Sequence, residues 1–119
     1  MPELPLIDPQ AIENLRAIIP GDADELLKEI ISIYLEDTPQ RIAELETSLT
    51  AGDIGVFTRA AHSIKGTSSS LGAMRLRAVA ETIECYSKET GLAGIEPGIA
   101  AVKNEFVATD AALRKYLGA

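Results

Sequence analysis

Tryptophan is absent, cysteine and histidine occur once each, and two phenylalanines and three tyrosines supply all the aromatic area. A single cysteine, Cys85, excludes an intramolecular disulfide. With His62 as the only histidine, a Cys/His zinc site has almost nothing to build with, and no metal site is expected. No apolar run approaches the ~18 residues of a membrane span. The start, Met1-Pro2-Glu3-Leu4-Pro5, lacks the basic and apolar regions of a signal peptide. A reduced, cytoplasmic setting without membrane contact is therefore expected. Basic residues are scarce too: eleven Lys and Arg face eighteen Asp and Glu, for a net charge of −7. Such a chain repels phosphate backbones, which removes nucleic acid from the expected partners.

What remains is apolar and helical. The 119 residues are 46 % hydrophobic, enough for one packed domain spanning 1–119, with residues 1–7 as an extended lead. Asp8-Pro9 reads as an N-cap followed by proline at the first helical position, and Ile7 and Ile12 have the spacing of a hydrophobic staple. Pro20-Gly21 stops this short helix. Asp22 with Glu25 then forms a capping-box pattern. Leu26, Leu27, Ile30, Ile31, Tyr34 and Leu35 follow at helical spacing, and Ile42, Leu45 and Leu49 resume it beyond Pro39, which either kinks one helix or divides two. Ala51-Gly52-Asp53 is a stop, a turn and a new cap. The next helix places Ile54, Phe57, Ala61, Ile64 and Leu71 on one stripe. After Gly72 comes a helix with Leu76, Val79, Ala80, Ile83 and Tyr86 inward. Gly91, Gly94, Pro97 and Gly98 mark a loop, and Ile99, Val102, Phe106, Leu113 and Leu117 form the last apolar stripe. No stretch alternates with period two. The pattern predicts an all-α fold: an up-down antiparallel four-helix bundle with an additional short N-terminal lid helix.

His62 follows Ala61, so it is turned about 100° from the core stripe. It shares its own stripe with Gly55, Thr58, Arg59, Lys65, Gly66 and Ser69, all small or polar. A histidine there faces water with its imidazole free to react. Gly66, one turn beyond, costs about 1 kcal/mol relative to alanine inside a helix. It leaves the flank of the ring bare for a close approach. Residues 54–80 hold Arg59, Lys65, Arg75 and Arg77 and no acid, so the only histidine sits in the one basic window of an acidic chain. Such a field suits a phosphoryl group or an acidic partner. If the turn between the third and fourth long helices of the sequence centres near Ala73, His62 lies level with Glu84 and Lys65 with Glu81. A carboxylate beside the imidazole would hold Nδ1–H and leave Nε2 exposed.

The segment His62-Ser63-Ile64-Lys65-Gly66, continuing to Leu71-Gly72, resembles the HxxKGxxxxxG signature of histidine-containing phosphotransfer (HPt) domains. The likeness extends over Phe57-Thr58-Arg59-Ala60-Ala61 before it and the following helix to Glu84. The resemblance implies that His62 is the phosphoacceptor, that Lys65 helps neutralise the phosphoryl oxygens, and that Gly66, with Arg59 and Ser69, belongs to the docking face. Many members carry glutamine where this chain has Glu84. A carboxylate there would orient the ring and also favour the imidazolium, which is not a nucleophile. The implied partners are receiver domains of response regulators or hybrid histidine kinases, and the implied state is a monomer. Cofactors of its own are not implied; Mg²⁺ is expected in the receiver.

Three other readings compete. A helical adaptor would bind partners without chemistry, with His62 incidental. An acid–base enzyme using His62 and Glu84 would need an enclosed pocket, for which the small polar stripe gives no sign. The phosphoacceptor segment of a chemotaxis-type kinase would use the same histidine but receive phosphate from an ATP-binding domain. The chain has no P-loop or other Gly-rich nucleotide motif, so autophosphorylation from ATP is not expected.

Overall fold

Asp8 opens the first helix, its Oδ1 accepting from the Gln10 backbone N–H at 3.0 Å. In this computed structural model, which describes residues 4–18, 21 and 23–118, that helix is α1, Pro9–Ile18. Both members of the expected staple are drawn inward, Ile12 buried and Ile7 packed on the core. Pro20 and the expected cap Asp22 lie outside the described residues, as do residues 1–3 of the expected lead. Residues 4–7 of that lead are not helical.

The second helix, α2, runs unbroken over Ala23–Ala51 with Pro39 inside it. Proline cannot donate to the Leu35 carbonyl, and in a lone helix that defect costs about 3 kcal/mol. Here Leu35 on one side and Ile42 and Leu45 on the other are buried in the same core. That burial offsets the missing bond, so the helix continues through Pro39, whose ring faces solvent. The expected apolar face of α2 is corrected at Leu26, which is exposed together with Ile33.

Asp53 caps α3 (Ile54–Ser70) as its position predicts, accepting from Val56 N at 3.1 Å. Phe57, Ala61 and Ile64 are buried, but Ile54 is exposed. It stands at the first position of the helix, beside Gly91, which has no side chain to cover it. Helix α4 covers Met74–Glu89 and α5 covers Glu96–Arg114, followed by a short 3₁₀ turn at Lys115–Leu117. Pro97 and Gly98, expected in the loop, lie in the first turn of α5, where proline loses no hydrogen bond.

Helices α2 to α5 pack each against the next, α5 closes on α2, and α1 lies against α2. This is the expected bundle and lid, and no strand occurs among the described residues. The lid is fixed at the turn between α3 and α4. Asp8 N donates to Gly72 O at 2.8 Å, and Gly72 adopts φ +75°. A Cβ on Gly72 would stand 2.7 Å from Ala11 Cβ and 2.9 Å from Asp8 O. Glycine is therefore required there twice over, for its backbone conformation and for the approach of the lid.

Candidate functional site

Helix α3 turns Phe57, Ala60, Ala61, Ile64 and Ser68 into the core. That phase leaves His62 on the outside, its side chain 66 % exposed. Ser68 is buried beneath the same segment and shares a 2.8 Å hydrogen bond with the Tyr34 hydroxyl of α2. Burial pushes the Tyr34 phenol up to about 12, against the opposing hydrogen bonds of Ser68 and Thr38. The phenol is thus a neutral, buried strut between α2 and α3.

Helix α4 supplies the counterpart. Its core face is Leu76, Ala80 and Ile83, and Glu84 sits at the edge of that face, with its side chain only 2 % exposed. Glu84 Oε2 lies 2.7 Å from His62 Nδ1. Oε1 lies 2.7 Å from Lys65 Nζ, and Oε2 is also 3.3 Å from Lys88 Nζ. Burial alone would raise the carboxyl's pKa, but the contacts with Lys65, His62 and Lys88 outweigh it and bring the pKa down to about 2. Contact with Glu84 in turn raises the Lys65 ammonium above its ordinary value. An ionised carboxylate only accepts, so Nδ1 carries a proton and Nε2 points away from Glu84.

The expected level-matching of His62 with Glu84 is met. Lys65 makes its direct contact with Glu84 and not with Glu81, which acts on it through space and meets Arg77 at 3.7 Å. A long lysine stem reaches past its level, and a buried carboxylate attracts it more strongly than a half-exposed one. Lys88 escaped the sequence reading. Its signal was present as a Glu-to-Lys spacing of four on one helix. A second link joins the helices nearby, where Thr58 Oγ1 and Ser87 Oγ are 2.7 Å apart and Ser87 Oγ donates to Glu84 O at 2.9 Å.

Around the imidazole the surface is an open depression lined by Thr58, Arg59, His62, Ser63, Glu84 and Lys88. Gly66 and Ser69 are exposed farther along α3. A Cβ added at Gly66 would meet nothing within 4 Å, so no internal packing requires glycine there. Among the described residues no three His, Cys, Asp or Glu side chains converge in a metal-binding cluster, and no helix is long and apolar enough to cross a membrane. The arrangement leaves Nε2 of an exposed imidazole open, holds Nδ1 with a carboxylate, and places Arg59 and Lys88 on the lining of the same depression.

The family model described as "Hpt domain" matches residues 29–112. The chain is 30 % identical over 105 residues to multistep phosphorelay regulator 1 of Schizosaccharomyces pombe; the match covers 88 % of this chain and 34 % of that protein, so the chain spans about a third of its relative's length. Among solved structures it resembles histidine-containing phosphotransfer protein B of Pseudomonas aeruginosa, with TM-score 0.85, 22 % identity and 95 % of each chain covered. It also resembles the HPT domain of a sensor hybrid histidine kinase from Shewanella, with TM-score 0.76, 19 % identity, and 98 % of this chain and 97 % of that one covered. At these identities the two structures speak for the fold alone.

Proposed function

The chain belongs to the Hpt domain family, and from that premise we propose that it is a phosphorelay intermediate. His62 accepts a phosphoryl group from the phosphoaspartate of one receiver domain and passes it to the aspartate of another. One observation carries this reading: the only histidine of the chain has an exposed ring whose Nδ1 is held by a buried, ionised carboxylate.

In the accepting step the Nε2 lone pair attacks phosphorus, the P–O bond to the receiver's aspartate breaks, and the carboxylate leaves with the bonding pair. Nδ1 keeps its proton, so the phosphorylated ring carries positive charge, and Glu84 2.7 Å away stabilises it. The onward step is the reverse, with a second aspartate attacking phosphorus and the N–P bond breaking. Glutamate in place of the family's frequent glutamine therefore favours the cationic product ring. Its negative charge is offset by Lys65 and Lys88, so the site as a whole still attracts a phosphoryl group.

Phosphoryl transfer needs alignment and charge stabilisation more than covalent help. We assign the catalytic groups and the Mg²⁺ to the receiver, which makes this chain a carrier without autokinase activity. Gly66, with Arg59 and Ser69, forms the face on which the receiver docks, and the open space beside Gly66 supports that role. The carrier works as a cytoplasmic monomer.

The test is incubation with a phosphorylated receiver and, separately, with a kinase catalytic domain and ATP. Acid-labile, base-stable label on His62 from the receiver is the expected result. Label only from the kinase would replace the relay with a kinase's phosphoacceptor segment. No label from either would leave a docking module.

A further inference from the structure

Two lysines share Glu84, and they are not alike. Lys65 Nζ holds Oε1 at 2.7 Å with its side chain 25 % exposed, and it does not line the depression around His62. Lys88 comes from the opposite helix, is 60 % exposed, and meets Oε2 only at 3.3 Å. That oxygen is already engaged by His62 Nδ1 at 2.7 Å. Lys88 also lines the depression that holds the imidazole. The contact is long and its ammonium end lies in solvent, so Lys88 is the more loosely held of the two lysines, and an ammonium on a four-carbon stem is free to swing.

Resting on the phosphotransfer reading, the geometry points to a division of labour in which Lys88 is the cation that meets the phosphoryl group and Lys65 is the positioning residue that holds Glu84. A phosphoryl group on Nε2 brings nearly two negative charges into a depression that already contains a carboxylate. Lys88 leaves Oε2 for the phosphoryl oxygens. Lys65 stays on Oε1 and keeps the carboxylate aimed at Nδ1, so the ring keeps its tautomer while the outer charge is neutralised.

Phosphoramidate tests this without any receiver. Nε2 attacks its phosphorus, the P–N bond breaks and ammonia leaves. Labelling of His62 is followed in the wild type, Lys88→Gln, Lys88→Arg and Lys65→Gln, together with the Nδ1–H proton resonance of His62. Lys88→Gln is expected to slow labelling roughly five- to tenfold, with the resonance unmoved, and Lys88→Arg to restore most of the rate. Lys65→Gln is expected to shift the resonance. Labelling of Lys88→Gln at the wild-type rate would overturn the assignment. So would a resonance shifted as far by Lys88→Gln as by Lys65→Gln, no rescue by arginine, or a wild type that phosphoramidate does not label. Label from phosphoramidate with none from a phosphorylated receiver would remove the relay and leave the Lys88 assignment standing.

Discussion

His62 and Glu84 are joined by a 2.7 Å hydrogen bond that links a side chain 66 % exposed to one only 2 % exposed. The bond therefore crosses from solvent to interior. The His62 ring borrows its orientation from a group that water hardly reaches.

Acid should unlock that group. The Glu84 carboxyl titrates at about 2 in the folded protein against an ordinary value of 4.5. The folded state thus binds fewer protons than the unfolded chain between these values. Its contribution is fully present above about pH 4.5 and is lost as pH falls toward 2. With the solvent-screened lysines discounted, that contribution is about 2 kcal/mol. Denaturant melts between pH 2 and 7 should show a shallower acid decline for Glu84→Gln than for the wild type; an equal decline would place the acid sensitivity elsewhere.

His62→Gln should abolish phosphoryl acceptance and cost no more than about 1 kcal/mol of unfolding free energy, because the ring lies outside the core and only its bond to Glu84 bears on the fold. Label transfer and thermal melting of the same sample check both halves. A large loss of stability would mean that the Glu84 contact supports the fold as well as the chemistry.

The glycines should separate. Gly66→Ala meets open space in a helix and should stabilise by about 0.5–1 kcal/mol, while Gly66→Gln should slow transfer by obstructing the receiver. Gly72→Ala places a Cβ 2.7 Å from Ala11 at φ +75° and should cost about 1–3 kcal/mol as the lid is pushed off. Melting curves and transfer rates for all three variants decide. A destabilised Gly66→Ala would move that glycine from the docking face to internal packing.

Tyr34→Phe removes the buried bond to Ser68 under α3 and should cost about 1–2 kcal/mol, with phosphoryl acceptance retained. Loss of acceptance in a folded variant would show that this strut also sets the position of His62.

Much of this was readable from spacing. The phase of Phe57, Ala61 and Ile64 put His62 outside, because a helix shows a fixed face once its core stripe is known. The breaks at Ala51-Gly52-Asp53 and Gly72 located the ends of α3, since capping and positive φ are local demands. The sequence by itself therefore determined that the fold is helical, where α3 begins and ends, and the exposed histidine with its basic window. Tertiary structure decided what surrounds the histidine. Whether Glu84 is a solvated acid or a buried one depends on how α4 is rotated against α3, and nothing local to α4 sets that. The choice of Lys65 between Glu81 and Glu84, and the capture of Lys88, followed from that burial, because an unsolvated carboxylate draws every cation its neighbours can extend. Pro39 was ambiguous for the same reason. Its local cost is fixed, but the burial that keeps α2 continuous through it belongs to the assembled bundle.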